Sequence, residues 1–275
     1  MNKSFFVYPV FIATVLSGCT QIGLINSSAP TRALAESAKQ GDAESQYQLG
    51  LRFTNGADVL QDYALGVMHF KDAARQGHTD AQYMLGMAYY LGRGTNIDYD
   101  DARFWLEKAA SAYHREAMHY LGEIYFNGYG TEKAPAWGVQ WAGQAAERGY
   151  AESQYLMGVS LLSGIGSSRN QPLGQRWLRS AHQNGSLRAR ELMKKLNISS
   201  TGVTVQGSNL SDSALRNKYR IRYAQTRLNQ LGYPAGAEDG LWGGKTEKAA
   251  RQFMNAGDIS LDSLVDALRQ KAEKH

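Results

Sequence analysis

The fold of this chain can be worked out from residues 81–94, AQYMLGMAYYLGRG. The central glycine of this stretch belongs to a series spaced by 36 residues: Gly50, Gly86, Gly122 and Gly158. In the last three copies a pair of glycines follows six and eight residues later, as at Gly92 and Gly94. The apolar residues have helical spacing, and glycine readily takes the positive φ that ends a helix. The stretch therefore predicts a helix from Asp80 to Leu91 that ends at a glycine.

A second helix is predicted in each unit, from about Asp98 to Tyr113 in the second copy. Three of the four copies have a helix-capping residue at the same position of the period: Asp62, Asp98 and Asn170. The third copy has Ala134-Pro135 there, and proline can also begin a helix. Tryptophan recurs among alanines in this helix, at Trp105, Trp141 and Trp177, which favours core positions over carbohydrate stacking. A lone helix pair cannot bury its apolar face, so such units stack. We predict an all-α solenoid over residues 31–197, made of a half-unit, four units and a closing helix.

The two most regular stretches, AQYMLGMAYYLGRG and DYDDARFWLEKAA (residues 98–110), resemble Sel-one-like repeats, which are relatives of tetratricopeptide repeats. The resemblance implies a curved solenoid of helix-turn-helix repeats that acts as an adaptor for another protein, without catalysis of its own. We find no nucleophile elbow or phosphate-binding loop, and the six histidines show no metal-ligand spacing. We therefore expect no catalytic residue, no metal site and no cofactor.

The single cysteine, Cys19, follows an apolar run of 12 residues, Phe5 to Leu16, with the small residues Ser17 and Gly18 between them. Such a run is shorter than the ~20 residues that span a bilayer, and it has the build of an export signal. Leu16-Ser17-Gly18-Cys19 resembles a bacterial lipobox, which implies a signal peptide over residues 1–18, an acylated Cys19 and a tether over residues 19–30. No aspartate follows Cys19, and in this respect the sequence resembles lipoproteins that are sorted to the outer membrane, which here implies a position facing the periplasm. The alternative is a plain secretory signal with an incidental cysteine.

Residues 198–213, ISSTGVTVQGSNLSDS, are rich in Ser, Thr and Gly, and they predict a flexible linker that lets the following module orient independently. Residues 214–275 carry 11 Lys and Arg against 7 Asp and Glu, so this end suits an anionic partner. Helical patterns from Leu215 to Leu231, around Ala249 and Phe253, and from Leu261 to about Lys271 predict a small three-helix bundle.

Residues 231–253, LGYPAGAEDGLWGGKTEKAARQF, resemble the peptidoglycan-binding domain of cell-wall hydrolases, as do Gln225 and Leu228 before them. The sequence departs from that pattern at Gly244 and Met254, where proline and glutamine are common. The resemblance implies a peptidoglycan-binding-like bundle over residues 214–275. Its candidate ligand-binding residues offer aromatic faces to sugars or polar groups to stem peptides: Arg222, Tyr233, Asp239, Trp242, Lys245 and Arg251. The matching residues can also be explained by a purely structural role, as residues of turns, helix caps or the core.

Together these features predict a lipid-anchored scaffold of the cell envelope. Its solenoid would bind an envelope protein, its C-terminal domain would bind peptidoglycan, and the lipid on Cys19 would hold it to the membrane. The alternative is a non-catalytic regulator of a cell-wall enzyme or of a secretion or envelope machine, whose C-terminal domain binds protein rather than peptidoglycan. Nucleic acid is not an expected partner, because an exported protein rarely meets it.

Overall fold

The computed structural model of the chain describes residues 27–272, and in this range it contains thirteen α-helices and no β-strand. The helices, in chain order, are α1 (Ala29–Lys39), α2 (Ala43–Asn55), α3 (Tyr63–Arg75), α4 (Thr79–Leu91), α5 (Tyr99–Ser111), α6 (Arg115–Asn127), α7 (Pro135–Glu147), α8 (Ala151–Ser163), α9 (Gln171–Gln183), α10 (Leu187–Lys195), α11 (Asp212–Gln230), α12 (Gly244–Met254) and α13 (Leu261–Ala272). The predicted all-α fold class is confirmed.

Helices α2 to α9 form the four predicted helix pairs, and the two helices pack against each other in the pairs α2–α3, α6–α7 and α8–α9. Each first helix ends at a glycine in the left-handed conformation, as α2 does at Gly56 and α4 at Gly92. The capping prediction also holds, because the Asp62 side chain accepts a hydrogen bond from Leu65 N at 2.9 Å. The third pair differs, because Ala134 provides no side-chain cap and Pro135 is the first residue of α7.

The glycines inside the first helices mark places where the paired helices touch. A Cβ atom built on Gly158 would lie 2.7 Å from Cδ2 of Leu178, which is fully buried on the second helix of the same pair. At Gly50 it would lie 2.6 Å from the ring of Phe70. Glycine in a helix costs up to ~1 kcal/mol relative to alanine. Here that cost allows the neighbouring helix to approach the backbone.

The chain divides into two compact units, Met1–Trp105 and Leu106–His275, with the boundary inside α5. In the described part of the first unit, Phe70, Ala73 and Leu85 form the centre of a buried cluster, against which Trp105 packs. In the second unit, Trp177 is buried together with Met157 and Leu161. Trp141 is also buried, with 9% of its surface exposed. The prediction that the repeated tryptophans contribute to the core is confirmed.

Helix α7 in the second unit is unusual because all residues from 136 to 147 are buried. Its sequence, PAWGVQWAGQAAE, is largely apolar on every side, as expected of a helix with partners all around it. One partner is α6, its mate in the repeat, and another is α11 from the C-terminal region. Leu215 and Tyr219 of α11 join the buried cluster that contains Val139 of α7. The C-terminal region therefore packs directly on the third repeat.

Gly143 is the residue of α7 on which α11 packs most closely, and this contact is here called the seat of α11. A Cβ atom at this position would lie 1.9 Å from Cε1 of Tyr219, so the tyrosine ring occupies the space that any side chain would need. The Tyr219 hydroxyl donates a hydrogen bond to Glu147 Oε1 at 3.0 Å, and Lys218 Nζ lies 2.6 Å from the same oxygen. The corresponding residues of the other repeats are all charged: Lys71, Glu107 and Arg179. Of the four repeats, only the third leaves room for the ring.

The structure corrects the expectation that residues 198–213 are a flexible linker. Residues 198–211, here called the strap, run along α9, where Val205 N donates to Ser180 Oγ at 2.8 Å and the Val205 side chain packs on the core. The last two residues of the predicted linker begin α11. The module therefore does not orient independently of the repeats in the second unit. Composition gave the wrong answer because the polar backbone of the strap finds partners on α9 rather than in water.

Helices α11, α12 and α13 form the predicted three-helix bundle, and the buried side chain of Gln225 organises its central turn. Gln225 Nε2 donates to Asp239 Oδ1 and to the Leu241 carbonyl, both at 3.0 Å. Its Oε1 accepts from Gly240 N at 3.0 Å. Gly240 has a φ of +78°, and a Cβ atom there would lie 2.6 Å from the Lys218 carbonyl. The turn therefore requires glycine at this position.

Candidate functional site

Cys19, the predicted lipidation site, lies outside the described residues, as do the signal peptide and residues 19–26 of the tether. Within residues 27–272, no helix combines the length and the apolar character that crossing a membrane requires.

Two of the six predicted wall-binding residues make contacts that support the fold. Asp239 Oδ1 accepts a hydrogen bond from Leu241 N at 2.9 Å and another from Gln225, and these bonds hold the pKa of Asp239 below its usual value. Arg222 lies beside the Tyr219 hydroxyl, at the seat of α11 on the third repeat. Burial raises the pKa of Tyr219, and the positive charge of Arg222 opposes part of that rise. Arg222 and Asp239 are thus engaged within the protein.

Of the other four residues, Tyr233 is half-buried and the remaining three are exposed. Tyr233 packs edge to face on Phe253, with ring centroids 5.7 Å apart. Trp242 and Lys245 are exposed near the start of α12. Arg251 pairs with Glu247 at 2.6 Å and lines an open cavity of about 630 Å³ along α12. The rest of that lining is polar or small: Gly244, Glu247, Lys248, Gln252 and Asn255.

The repeats of the second unit present two surfaces, and the chain itself covers one of them. The second-helix surface, formed by α7 and α9, carries α11 and the strap. Trp137 of α7 meets the Tyr223 ring edge to face at 4.9 Å, and Arg269 of α13 lies 4.5 Å from the Trp137 ring centroid. The loop after α8 joins this interface, because Ser168 Oγ donates to Glu238 Oε1 at 2.7 Å.

The first-helix surface is formed by α6, α8 and α10, and Arg188 lies across all three helices. The Arg188 guanidinium is 3.1 Å from Glu123 Oε1 on α6 and 3.6 Å from Glu152 Oε2 on α8. Its Cζ also lies 4.5 Å from the ring centroid of Tyr155, within the range of a cation–π contact. The Arg188 side chain remains 55% exposed, so a partner can reach it.

A second arginine on the same surface is arranged in a similar way. Arg115 pairs with Glu116 at 2.9 Å and lies 5.7 Å from the ring centroid of Tyr150. Burial and nearby negative charges raise the pKa of Tyr150 to about 12. This tyrosine therefore stays neutral at physiological pH and keeps its hydroxyl proton as a hydrogen-bond donor.

His119 lies beneath this surface, at the phase where the other repeats have Tyr47, Tyr83 and Tyr155. It is only 4% exposed, and its Nδ1 lies 3.0 Å from Ser153 Oγ. Burial lowers the pKa of His119 against the influence of neighbouring carboxylates such as Glu123. The ring is therefore neutral at physiological pH and acts as a packing and hydrogen-bonding group between α6 and α8.

Arg115 and Arg188 are exposed, and the tyrosine rings beside them are half-buried. Arginine and tyrosine side chains held in fixed positions are typical of the residues that dominate protein–protein binding. Sequence reasoning missed Arg188 and its acidic partners, because their proximity depends on how successive first helices stack. The sequence did offer one signal of this surface, the aromatic residue that recurs at the phase of Tyr155. Within residues 27–272, no three His, Cys, Asp or Glu side chains are grouped so that they could hold a metal ion.

Comparison with known families finds four tandem matches to the Sel1 repeat, over residues 43–78, 79–114, 115–150 and 151–186. These limits assign one helix pair to each match. No curated protein matches the chain closely enough to count as a relative.

Two solved structures share this architecture. A Sel1 repeat protein from Oxalobacter formigenes is 26% identical, with a TM-score of 0.56, over 60% of this chain and 68% of that one. A protective antigen from uropathogenic Escherichia coli strains, which displays an SLR fold, is 28% identical with a TM-score of 0.56. The match covers 81% of this chain and 48% of the antigen, so the chain spans about half the antigen's length. No enzyme family is indicated.

Proposed function

Because the chain belongs to the Sel1 repeat family, whose repeats generally mediate protein–protein interaction, we propose that it is a non-catalytic scaffold of the cell envelope. It binds a protein partner through its first-helix surface and peptidoglycan through its C-terminal domain, and a lipid on Cys19 holds it to the outer membrane on the periplasmic side. The lipobox resemblance at residues 16–19 supports the anchor, and the resemblance of residues 231–253 supports the wall contact.

One observation carries the choice of partner surface. In the second unit the second helices are covered by the strap and α11, whereas Arg188 and the rings around it remain accessible on the first helices. Residues that form a preorganised cluster lose little side-chain entropy on binding. The partner therefore binds α6, α8 and α10, the helices that stay open while the strap and α11 cover α9 and α7.

Charge reversal at Arg188 tests this assignment. Arg188→Glu places a third acid beside Glu123 and Glu152, and we expect it to lower the yield of the main crosslinked partner in cells at least ~10-fold, as for a binding hot spot. Arg190→Glu is the matched control on the same helix, because the one ion pair that Arg190 forms within residues 27–272 is with its neighbour Glu191, at 3.8 Å. Both variants must keep the melting temperature of the parent. Equal yields from the two variants would remove the first-helix surface from the proposal.

The anchor requires a separate test. Metabolic labelling with a radioactive fatty acid should mark the protein and should fail to mark the Cys19→Ala variant, which should move from the membrane fraction to the soluble fraction. An unlabelled parent protein would favour the plain secretory signal.

The wall contact is tested by sedimentation with purified peptidoglycan sacculi. Trp242 and Lys245 are exposed and Arg251 lines the open cavity, so the triple alanine variant should lose retention. Lys195→Ala, at an exposed lysine of α10 outside the C-terminal domain, is the control and should be retained like the parent. Retention of the triple variant at the parent level would rule out these residues as the site.

The second candidate function is regulation of a wall enzyme or an envelope machine by a C-terminal domain that binds protein. One observation favours it: α11 already uses Leu215 and Tyr219 for a buried contact with another part of the protein. Crosslinking from α12 separates the candidates, because a single dominant protein adduct from this helix would favour the regulator and would disfavour the wall contact.

A further inference from the structure

The strap is held on the repeats mainly through its backbone. Arg179 Nε donates to the Ser199 carbonyl at 3.0 Å, and Arg176 Nη2 donates to the Thr204 carbonyl at 3.2 Å. Ser180 Oγ accepts from Val205 N at 2.8 Å and lies 3.2 Å from the Val205 carbonyl. Recognition of this kind depends on an extended backbone and tolerates many side chains.

The strap has few side chains that anchor it. Val205 packs on the core of the second unit, but Val203, two residues earlier, is 65% exposed. Gly202 lies against the Arg179 guanidinium, and a Cβ atom built on this glycine would be 3.3 Å from Nε and Cζ. Ordering a Ser- and Gly-rich segment has a large entropic cost, which the two half-buried aliphatic side chains Ile198 and Val205 offset only in part. A peptide with better anchors can therefore displace the strap.

The charges on α9 also remain unmatched. Within residues 27–272, neither Arg176 nor Arg179 forms an ion pair, and both donate to neutral carbonyls. The strap, residues 198–211, contains no acidic or basic residue. A carboxylate adds the attraction of opposite charges and can accept two parallel hydrogen bonds from one guanidinium, whereas a carbonyl is neutral.

We propose that α9 carries a peptide-binding site for an extended, acidic segment of a partner protein, and that the strap is its neutral occupant within the chain. Arg176 and Arg179 bind carboxylates of the segment, Ser180 pairs with its backbone, and an aliphatic side chain takes the place of Val205. Each guanidinium has five N–H donors, so it can hold a carboxylate and a carbonyl together. This site is distinct from the first-helix surface and does not depend on it.

The test uses two fluorescent peptides that copy residues 198–207, one unchanged and one with glutamate in place of Thr201 and Thr204. Binding to the full-length protein is measured by fluorescence anisotropy. The acidic peptide should bind about 10-fold more tightly than the neutral one, with an advantage that shrinks as salt rises. In the protein, Val205→Ser weakens the strap and should tighten the binding of both peptides severalfold.

Arg176→Gln with Arg179→Gln should reduce the affinity for the acidic peptide to that for the neutral one, and Arg190→Gln is the control on the neighbouring helix. Circular dichroism confirms that each variant is folded. Equal affinities for the two peptides, no effect of the paired glutamine substitutions, or no binding even to the Val205→Ser protein would overturn the inference. Arg188→Glu should leave peptide binding unchanged, so failure here is distinguishable from failure of the first-helix proposal.

Discussion

Replacing Gly143 with alanine tests the seat of α11 on the third repeat. The new methyl group would lie 1.9 Å from Cε1 of Tyr219 and 2.5 Å from Cδ1 and Cζ. The ring cannot swing away freely, because Tyr219 is 1% exposed and its hydroxyl is bonded to Glu147. The substitution therefore forces α11 to shift against α7.

The size of the effect follows from two opposing contributions. Overpacking a tight core costs roughly 1–3 kcal/mol, and the contact at Gly143 is close enough to place it near ~3 kcal/mol. Alanine in place of a helical glycine returns about 1 kcal/mol through helix propensity. We expect a net loss of about 2 kcal/mol in the free energy of unfolding of the second unit.

Denaturant titration followed by tryptophan fluorescence measures this loss, because Trp137 and Trp141 lie in the same helix as Gly143. With Tyr219→Ala as background, the collision is gone, so Gly143→Ala should then stabilise by about 1 kcal/mol, giving a coupling energy of ~3 kcal/mol. Gly244→Ala is the control, because a Cβ atom there meets nothing within 4 Å. A Gly143→Ala variant as stable as the parent would refute the packing of α11 on α7.

Three further predictions concern the same unit. Arg148→Ala removes the ion pair with Asp212 and the hydrogen bonds to the Ser208 and Leu210 carbonyls. The second unit should therefore lose about 2 kcal/mol of stability, and the amide hydrogens of the strap should exchange faster with solvent. Unchanged amide exchange would contradict the contact between Arg148 and the strap. His119→Tyr should flatten the pH dependence of stability. In the parent the pKa of His119 is lowered by burial, so on acidification the unfolded chain binds the proton before the folded one does. The free energy of unfolding therefore falls as pH drops through ~6.5. Identical slopes for parent and variant between pH 7.5 and 5 would exclude this cause. Gly158→Ala should lower the denaturant midpoint, because the added methyl lies 2.7 Å from Leu178, and an unchanged midpoint would contradict the close approach of α8 and α9.

Much of the repeat region could be predicted from the sequence because contacts in a repeat protein are local in the chain. The 36-residue period fixed the helix pairs, the glycines that end the first helices and the capping role of Asp62. Each depends on residues within one unit or its neighbour, so the pattern carries the information. The predicted start of the repeats at residue 31 is close to the observed α1, Ala29–Lys39.

The interaction between the repeats and the C-terminal region could not be predicted in the same way. The sequence does show that the third repeat departs from the others at Ala134 and Gly143. The reason for the departure at Gly143 is Tyr219, which lies more than 70 residues further along the chain, and no periodicity connects the two positions. The composition of the strap indicated flexibility, because composition does not report partners such as Ser180 and Arg179 on α9.

The candidate site was likewise predictable from the sequence only in part. The aromatic residues Tyr150 and Tyr155 stand at regular phases of the repeat, but the position of Arg188 between two acids depends on the stacking of three helices. In the C-terminal domain, residue type suggested both Arg222 and Asp239 as ligand-binding groups. The structure engages both of them in internal contacts, since charged side chains near a turn or an interface serve the fold as readily as a ligand.

The central claim is that the second unit covers its second helices with its own C-terminal region and offers its first helices to a partner. Photo-crosslinking in cells tests it directly, with a diazirine-bearing lysine analogue at position 191, which is exposed on α10 one turn after Arg188, or at position 218. The account predicts an adduct with a second protein from position 191 and an internal crosslink to α7, near Glu147, from position 218. A second-protein adduct from position 218, without one from position 191, would contradict it.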